Sequence, residues 1–254
     1  MIGSKVGEAE LWGGDIVPAG PIVRVDIMRD QMLCNLDPDV ELPGNSAAVV
    51  PQLIEALGPP APRAPRDLSE VFARMDDEGR RWAPELAALN EAIMAVVPED
   101  TIIGGDSSQV TYLGSTTFFR AQHPRSLLYM GTYATLGYGL PASIGAKLAA
   151  PHRPVLCVVG DGALMFSVQE LMTAVELGLG LPVVCVDNGG YGEIRQNMVE
   201  RDIDPLAVDL RQPDWPALAA AFGAVGLEAT QETLAATVVE ALAIEGPSLI
   251  HLRI

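Results

Sequence analysis

The chain has 254 residues, with 16 lysines and arginines against 33 aspartates and glutamates, a formal charge of −17. So acidic a protein does not grip nucleic acid or an anionic membrane through bulk charge. At 49% hydrophobic and 19% charged residues it is no disordered tail, and no apolar run reaches the ~18 residues of a membrane span. The first residues, MIGSKVGEAELWGG, lack the basic and apolar regions of a signal peptide. Cys34, Cys157 and Cys185 are scattered, without disulfide or zinc spacing. A cytoplasmic protein of one large or two small domains is expected.

In chain order, residues 21–27 read as a strand and 47–57 as a helix that Asn45-Ser46 caps. One strand and one helix do not bury a core, so this front piece, residues 1–57, needs a partner surface. Residues 58–67 form a linker, with four prolines between Pro59 and Pro65. The body, residues 68–254, then alternates. Residues 68–97 read as mostly helical around Pro84, and 101–104 as a short strand. Residues 140–150 read as a helix with Pro141 in its first turn. Residues 154–159 and 181–186 are continuous apolar strands, separated by an amphipathic helix over 167–177. Helices over 215–222 and 231–244 and a strand over 248–252 close the chain. Apolar strands alternating with helices specify an α/β fold, a parallel sheet covered by helices on both faces.

In such a sheet ligands bind beyond the carboxyl ends of the strands. One strand runs into Gly160-Asp161-Gly162-Ala163, the other into Asp187-Asn188-Gly189-Gly190-Tyr191-Gly192. Asp161 and Asn188 lie 27 positions apart, one strand–helix–strand crossover, which brings both side chains to one sheet edge. A carboxylate, an amide oxygen and a glycine carbonyl are hard-cation ligands, and Mg²⁺ completes so small a set with phosphate oxygens. The glycines let backbone N–H groups approach a diphosphate, with a helix following Ala163 pointing its N-terminus there. Taken singly, Gly-Asp-Gly and Asn-Gly-Gly are ordinary turn sequences. Their pairing at strand ends carries the signal. No G-x-G-x-x-G follows the body's first strand, which argues against a dinucleotide-binding oxidoreductase.

These residues resemble the thiamine diphosphate (ThDP) enzymes of the acetolactate synthase and pyruvate decarboxylase type. Gly160-Asp161-Gly162 with Asn188 is similar to their metal–diphosphate motif, and Gly131-Thr132-Tyr133-Ala134-Thr135-Leu136-Gly137-Tyr138-Gly139 to the segment that bends the cofactor. Gly246-Pro247-Ser248-Leu249-Ile250 resembles their last strand. Trp12-Gly13-Gly14 and Val23-Arg24-Val25-Asp26-Ile27 resemble the tail of their central domain, so that residues 1–57 would be the end of that domain and 68–254 the diphosphate-binding domain.

The resemblance implies ThDP and Mg²⁺ as cofactors. Asp161, Asn188 and the Gly190 carbonyl would ligate the metal. Gly160, Gly162 and Ala163 would line the diphosphate, and Tyr191 would border the cofactor. Leu136 would wedge under its rings, and the Ala134 carbonyl would accept from the pyrimidine amino group. Two positions depart from the family's usual residues: Asp187 stands where Asn is common, and Ala163 where Ser or Thr is.

Such enzymes run to more than twice this length, and the glutamate that activates the pyrimidine ring lies in a domain with no counterpart here. The expectation is a split enzyme: a hetero-oligomer in which a separate subunit brings the pyrimidine-binding domain. Together they would remove CO₂ from a small 2-oxo acid and then protonate the product or join it to a second carbonyl. Non-catalytic scaffolding, regulation or a truncated remnant are the alternatives. Tyr191-Gly192-Glu193-Ile194-Arg195, Gly105-Asp106-Ser107-Ser108-Gln109 and Val208-Asp209-Leu210 look most like 5-guanidino-2-oxopentanoate decarboxylases. Glu193 would then face a guanidinium or, alternatively, serve as a first-turn glutamate on its helix. Asp106 is a second pocket candidate. His123 is weighed as a visitor to the site, His152 as solvated and His251 as packed in the last strand.

Overall fold

The computed structural model describes residues 1–4, 6–7, 16–59 and 67–254, so Trp12-Gly13-Gly14 and most of the proline-rich linker lie outside the described residues. The chain divides into two compact units, Met1–Asp67 and Leu68–Ile254.

In the first unit, β1 (Val23–Asp26) pairs in parallel with β2 (Val40–Pro43), with Val23 opposite Val40 and Asp26 opposite Pro43. The second strand has no sequence forecast, because the alternation is only a few residues long and ends in a proline. Helix α1 (Arg29–Met32) links them, and α2 (Ser46–Leu57) starts where Asn45 accepts the Ala47 N–H at 2.9 Å. Arg24 is buried, and its guanidinium donates to the carbonyls of Ser4, Cys34 and Leu36 at 2.9–3.1 Å. A buried cation needs such acceptors.

The second unit is the expected α/β body. Its helical start is two helices rather than one: α3 (Ser69–Trp82) and α4 (Pro84–Met94) meet at Ala83. Pro84 has no N–H to continue α3 but suits the first turn of α4. Strands β3 (Ile102–Gly105), β4 (Leu127–Leu128), β5 (Val155–Gly160), β6 (Pro182–Asp187), β7 (Val225–Ala229) and β8 (Ser248–Arg253) form one parallel sheet in the order β4-β3-β5-β6-β8-β7. The edge strands β4 and β7 are absent from the sequence expectation. Two residues, and a run containing Gly226, make weak strand signals.

Side chains alternate across the sheet, and two cores result. Val155, Cys157, Val159, Val183, Cys185 and Leu249 face one side. There they meet α5 (Gly139–Ala149), α7 (Glu170–Glu176) and α9 (Trp215–Phe222). Leu156, Val158, Val184, Val186, Ile250 and Leu252 face the other, against α4 and α10 (Leu234–Leu242). The helix expected over 167–177 is shorter than forecast, and a separate helical turn α6 (Asp161–Leu164) begins directly at the end of β5. Helix α8 (Gly192–Glu200) follows β6. From β3 the chain goes out to β4 on one side and returns to β5 on the other. The crevice beyond the carboxyl ends of β3 and β5 is therefore the topological switch point, where open α/β sheets bind ligands.

Among the described residues, no helix is long and apolar enough to cross a membrane.

Candidate functional site

Three segments meet at this edge: 106–109 after β3, 160–163 at the end of β5 and the start of α6, and 187–193 between β6 and α8. They bring Asp161, Asn188 and Gly190 together. The Asn188 side-chain oxygen position lies 3.1 Å from the Gly190 carbonyl oxygen and 3.2 Å from Asp161 Oδ1. If the amide nitrogen turned inward, these would be hydrogen bonds. With the oxygen inward, three acceptors face one another and need a cation between them. Asp161 Oδ2 is buried and has no hydrogen-bond partner with either amide orientation. Burial, above all, pushes the Asp161 carboxyl up to about 6, against the Gly162 N–H and with the charge of Asp187 adding to the rise. A buried carboxylate with an orphan oxygen is what a cation relieves. Octahedral Mg²⁺ holds oxygens at about 2.1 Å and hence about 3 Å from one another, close to the separations here. One carboxylate with an amide and a carbonyl is a hard-oxygen set, unsuited to zinc.

The loop after β6 is locked from both sides. Asp187 is buried, and its Oδ1 accepts the Gly189 N–H at 2.8 Å. Leu210 donates its N–H to the Gly189 carbonyl at 2.8 Å, and Tyr191 donates to the Val208 carbonyl at 2.9 Å. Gly190, between them, has φ +136°. A methyl on Gly162 would lie 3.0 Å from the Gly190 carbonyl oxygen and from the Tyr191 ring, so glycine keeps the space beside that carbonyl open. Gly162 and Ala163 are buried first-turn residues of α6, where N–H groups have no intrahelical acceptor. Gly160 donates its N–H to Ser108 Oγ at 3.2 Å.

Glu193, in the first turn of α8, is half-buried and held by three neutral donors. Gln109 Nε2 (2.9 Å) and Tyr112 Oη (3.1 Å) donate to Oε2, and Asn197 Nδ2 (2.9 Å) donates to Oε1. Burial and the Glu193 charge raise the Tyr112 hydroxyl well above the usual phenol range, so it stays a donor. No cationic side chain pairs with Glu193 among the described residues. Gln109 also links to Asn188, at 3.5 Å. Leu136 is half-buried. Ala134 is exposed in the left-handed region, φ +54°, a conformation non-glycine residues adopt at a cost.

Asp106 is no open pocket residue. It is buried, and both its oxygens accept backbone N–H groups. His123 and His152 are exposed. His251 does more than pack: its Nε2 lies 3.0 Å from Asp187 Oδ2, and its Nδ1 3.0 Å from Glu228 Oε2. Burial works to lower its pKa, but the hydrogen bonds and charges of Asp187 and Glu228 outweigh it and raise the value. A raised histidine pKa stabilises the fold below the unfolded value of 6.5, and the gain is lost as pH rises through the folded value. The difference in melting temperature between wild type and His251→Gln should accordingly be larger at pH 5.5 than at pH 9. A difference independent of pH would contradict this pairing.

Ser108, Gln109 and Tyr112 are the site residues that reading from the sequence did not assign. Their signal was position, just past the end of the third strand of the crevice.

Residues 109–252 match the family described as Thiamine pyrophosphate enzyme, C-terminal TPP binding domain. The chain is 37% identical over 230 residues to the probable 2-ketoarginine decarboxylase AruI of Pseudomonas aeruginosa, covering 87% of this chain and 40% of that protein. It is 31% identical over 251 residues to the acetolactate synthase isozyme 1 large subunit of Escherichia coli, covering 93% and 43%. With the acetolactate synthase large subunit of Haemophilus influenzae it shares 24% identity over 243 residues, covering 90% and 42%. The chain thus spans about two fifths of these relatives' length. It belongs to the thiamine pyrophosphate enzymes and carries their C-terminal cofactor-binding domain, the domain type that holds ThDP together with Mg²⁺.

Proposed function

We propose that this chain is the diphosphate- and Mg²⁺-binding part of a ThDP-dependent enzyme that decarboxylates or carboligates 2-oxo acids, and that a second polypeptide supplies the pyrimidine-binding part. The observation that carries the reading is the convergence of Asp161 Oδ1 and the Asn188 and Gly190 oxygens on a carboxylate whose other oxygen, Oδ2, is buried without a partner. In this reading those three residues hold Mg²⁺. The N–H groups of Gly162 and Ala163 hold the diphosphate, Gly160 shapes its floor, and Tyr191 walls it. Leu136 supports the rings, and the strained Ala134 presents its carbonyl to the pyrimidine. Bound ThDP supplies the electron sink that lets a 2-oxo acid lose CO₂. The chain's own residues fix the cofactor's orientation and exclude water around it. A non-catalytic scaffold has no use for an unpaired buried carboxylate, which disfavours that alternative.

The match covers 40% of the relative named as a 2-ketoarginine decarboxylase, and in this reading the pyrimidine-binding portion comes from elsewhere. The test is CO₂ release from 2-oxo acids by this chain alone and after mixing with a polypeptide carrying that portion. Activity only in the mixture is expected. Steady turnover by this chain alone would contradict the split.

Glu193 supports a substrate with a cationic tail, in line with the relative named as a 2-ketoarginine decarboxylase. Its charge is met by neutral donors alone, two on Oε2 and one on Oε1. In the reconstituted enzyme a 2-oxo acid with a guanidinium tail is expected to be preferred over a neutral one of equal length. Glu193→Gln should erase roughly tenfold to a hundredfold of that preference, the worth of a charge-assisted hydrogen bond. Equal kcat/KM ratios before and after the substitution would remove Glu193 from the substrate pocket.

A further inference from the structure

We propose that Asp106 is a positioning residue: its buried carboxylate caps α5 from a distant strand and so fixes the turn that carries Leu136 beneath the cofactor rings. This rests on the cofactor site proposed above and assigns the device that holds one wall of it.

Helix α5 begins without a cap of its own, since Tyr138 at its N-cap position makes no side-chain capping hydrogen bond. The orphan N–H groups there still need acceptors. Asp106, just past the end of β3, supplies them from 33 positions away. Its Oδ2 accepts the Gly139 N–H at 2.8 Å and shares the Gly137 N–H with Oδ1, at 3.0 and 3.1 Å. Its Oδ1 also accepts the Ser107 N–H at 2.9 Å, which fixes the carboxylate on its own loop. The carboxylate is buried, and no cation pairs with it among the described residues, so these N–H groups and the positive end of α5 are its compensation.

A carboxylate is needed because N–H groups bind both oxygens, Ser107 on Oδ1 and Gly139 on Oδ2; an asparagine would turn a donor toward one of them. The neighbourhood leaves the helix start little freedom. A methyl on Gly104 would overlap Ser143 of α5, and one on Gly139 would lie 2.7 Å from Val159 Cγ1. Gly137 takes φ +86°, and a methyl there would lie 3.0 Å from Phe166 Cβ. Leu136 immediately precedes the clamped Gly137. Any slip of the turn therefore moves Leu136, while Asp161, Asn188 and Gly190 are carried by other segments, at the ends of β5 and β6, that Asp106 does not bond.

The test separates ring support from diphosphate binding. Calorimetry on the full chain, with Mg²⁺ present, uses two probes, inorganic pyrophosphate and ThDP. Asp106→Asn is expected to bind pyrophosphate within about twofold of wild type and ThDP about tenfold more weakly, the cost of one lost charge-assisted contact passed on to the rings. Leu136→Ala should show the same ThDP-selective loss, and the double variant should lose little more than either single one, because both act through one contact. Equal losses on both probes, no loss on either, or full additivity would overturn the proposal. Wild type binding neither probe would instead overturn the cofactor site on which it rests. Asp106→Ser, which keeps one acceptor, is read in the same way if Asp106→Asn does not fold. Failure of both to fold would also overturn it, since a clamp on one turn does not carry the whole fold.

Discussion

Asp161→Ala is expected to lower Mg²⁺-dependent ThDP binding at least about a hundredfold while the chain stays folded. Asp161 supplies the one formal charge among the three converging groups, and its Oδ2 has no other partner. Losing a charged ligand removes its own contact and weakens the metal's grip on the diphosphate, which exceeds the roughly 1.5–3 kcal/mol of a single charge-assisted bond. The fold has little to lose. The Asp161 carboxyl is raised to about 6, so its ionised form is costlier in the folded chain than in the unfolded one. Above that pH the ionised group works against stability, and in Mg²⁺-free buffer at pH 7 the variant should melt no lower than wild type. Calorimetric titration and a melting curve check both halves. Unchanged ThDP affinity in the variant would remove Asp161 from the site.

Gly190→Ala should combine the largest stability loss with loss of the cofactor. The residue sits at φ +136°, where an L side chain is strained, and its methyl would run into the Val208 carbonyl and lie 2.9 Å from the Leu210 N–H. Backbone strain of about 1–3 kcal/mol and overpacking of about 1–3 kcal/mol add, because the two loops are hydrogen-bonded on either side of the clash. For a domain of this size that lowers the melting temperature by roughly 4–24 °C. Gly189→Ala is the internal control. It has φ +86° but nothing within 4 Å of the added methyl, so it should cost only the left-handed strain of about 1–2 kcal/mol. Equal melting temperatures for the two variants would show that the 208–210 segment does not pin Gly190.

The strands that were legible from sequence are those buried on both faces. β5 and β6 read as apolar runs because each serves both cores. β4 and β7 lie at the sheet edges, where two residues or a Gly226 pressed against Pro216 leave little to read. The helix start after β5 was misplaced for a local reason. Helical turns begin at Asp161 itself, and α7 begins only at Glu170, so the apolar pattern of 167–177 merges turn and helix.

At the site, Asp161, Asn188 and Gly190 could be paired from sequence because a single crossover separates them and strand ends fix their place. Asp106 could not be assigned in that way. Its partners Gly137 and Gly139 lie across two strand–helix boundaries, and a surface aspartate and a buried cap share the same local sequence. Glu193 kept two readings for a similar reason. The donors that hold it, Gln109 and Tyr112, come from the helical segment that begins just after β3, more than 80 positions away, and only the folded sheet shows that no cation is among its partners.

The claim that these strand ends hold a cation together with a diphosphate meets its most direct test in Mn²⁺ electron paramagnetic resonance, with Mn²⁺ as an Mg²⁺ substitute. In the presence of ThDP, one tightly bound Mn²⁺ per chain is expected, with hyperfine coupling to the ³¹P nuclei of the diphosphate, and both signals should vanish in Asp161→Ala. Bound Mn²⁺ without phosphorus coupling, or a coupled signal that survives Asp161→Ala, would contradict the site described here.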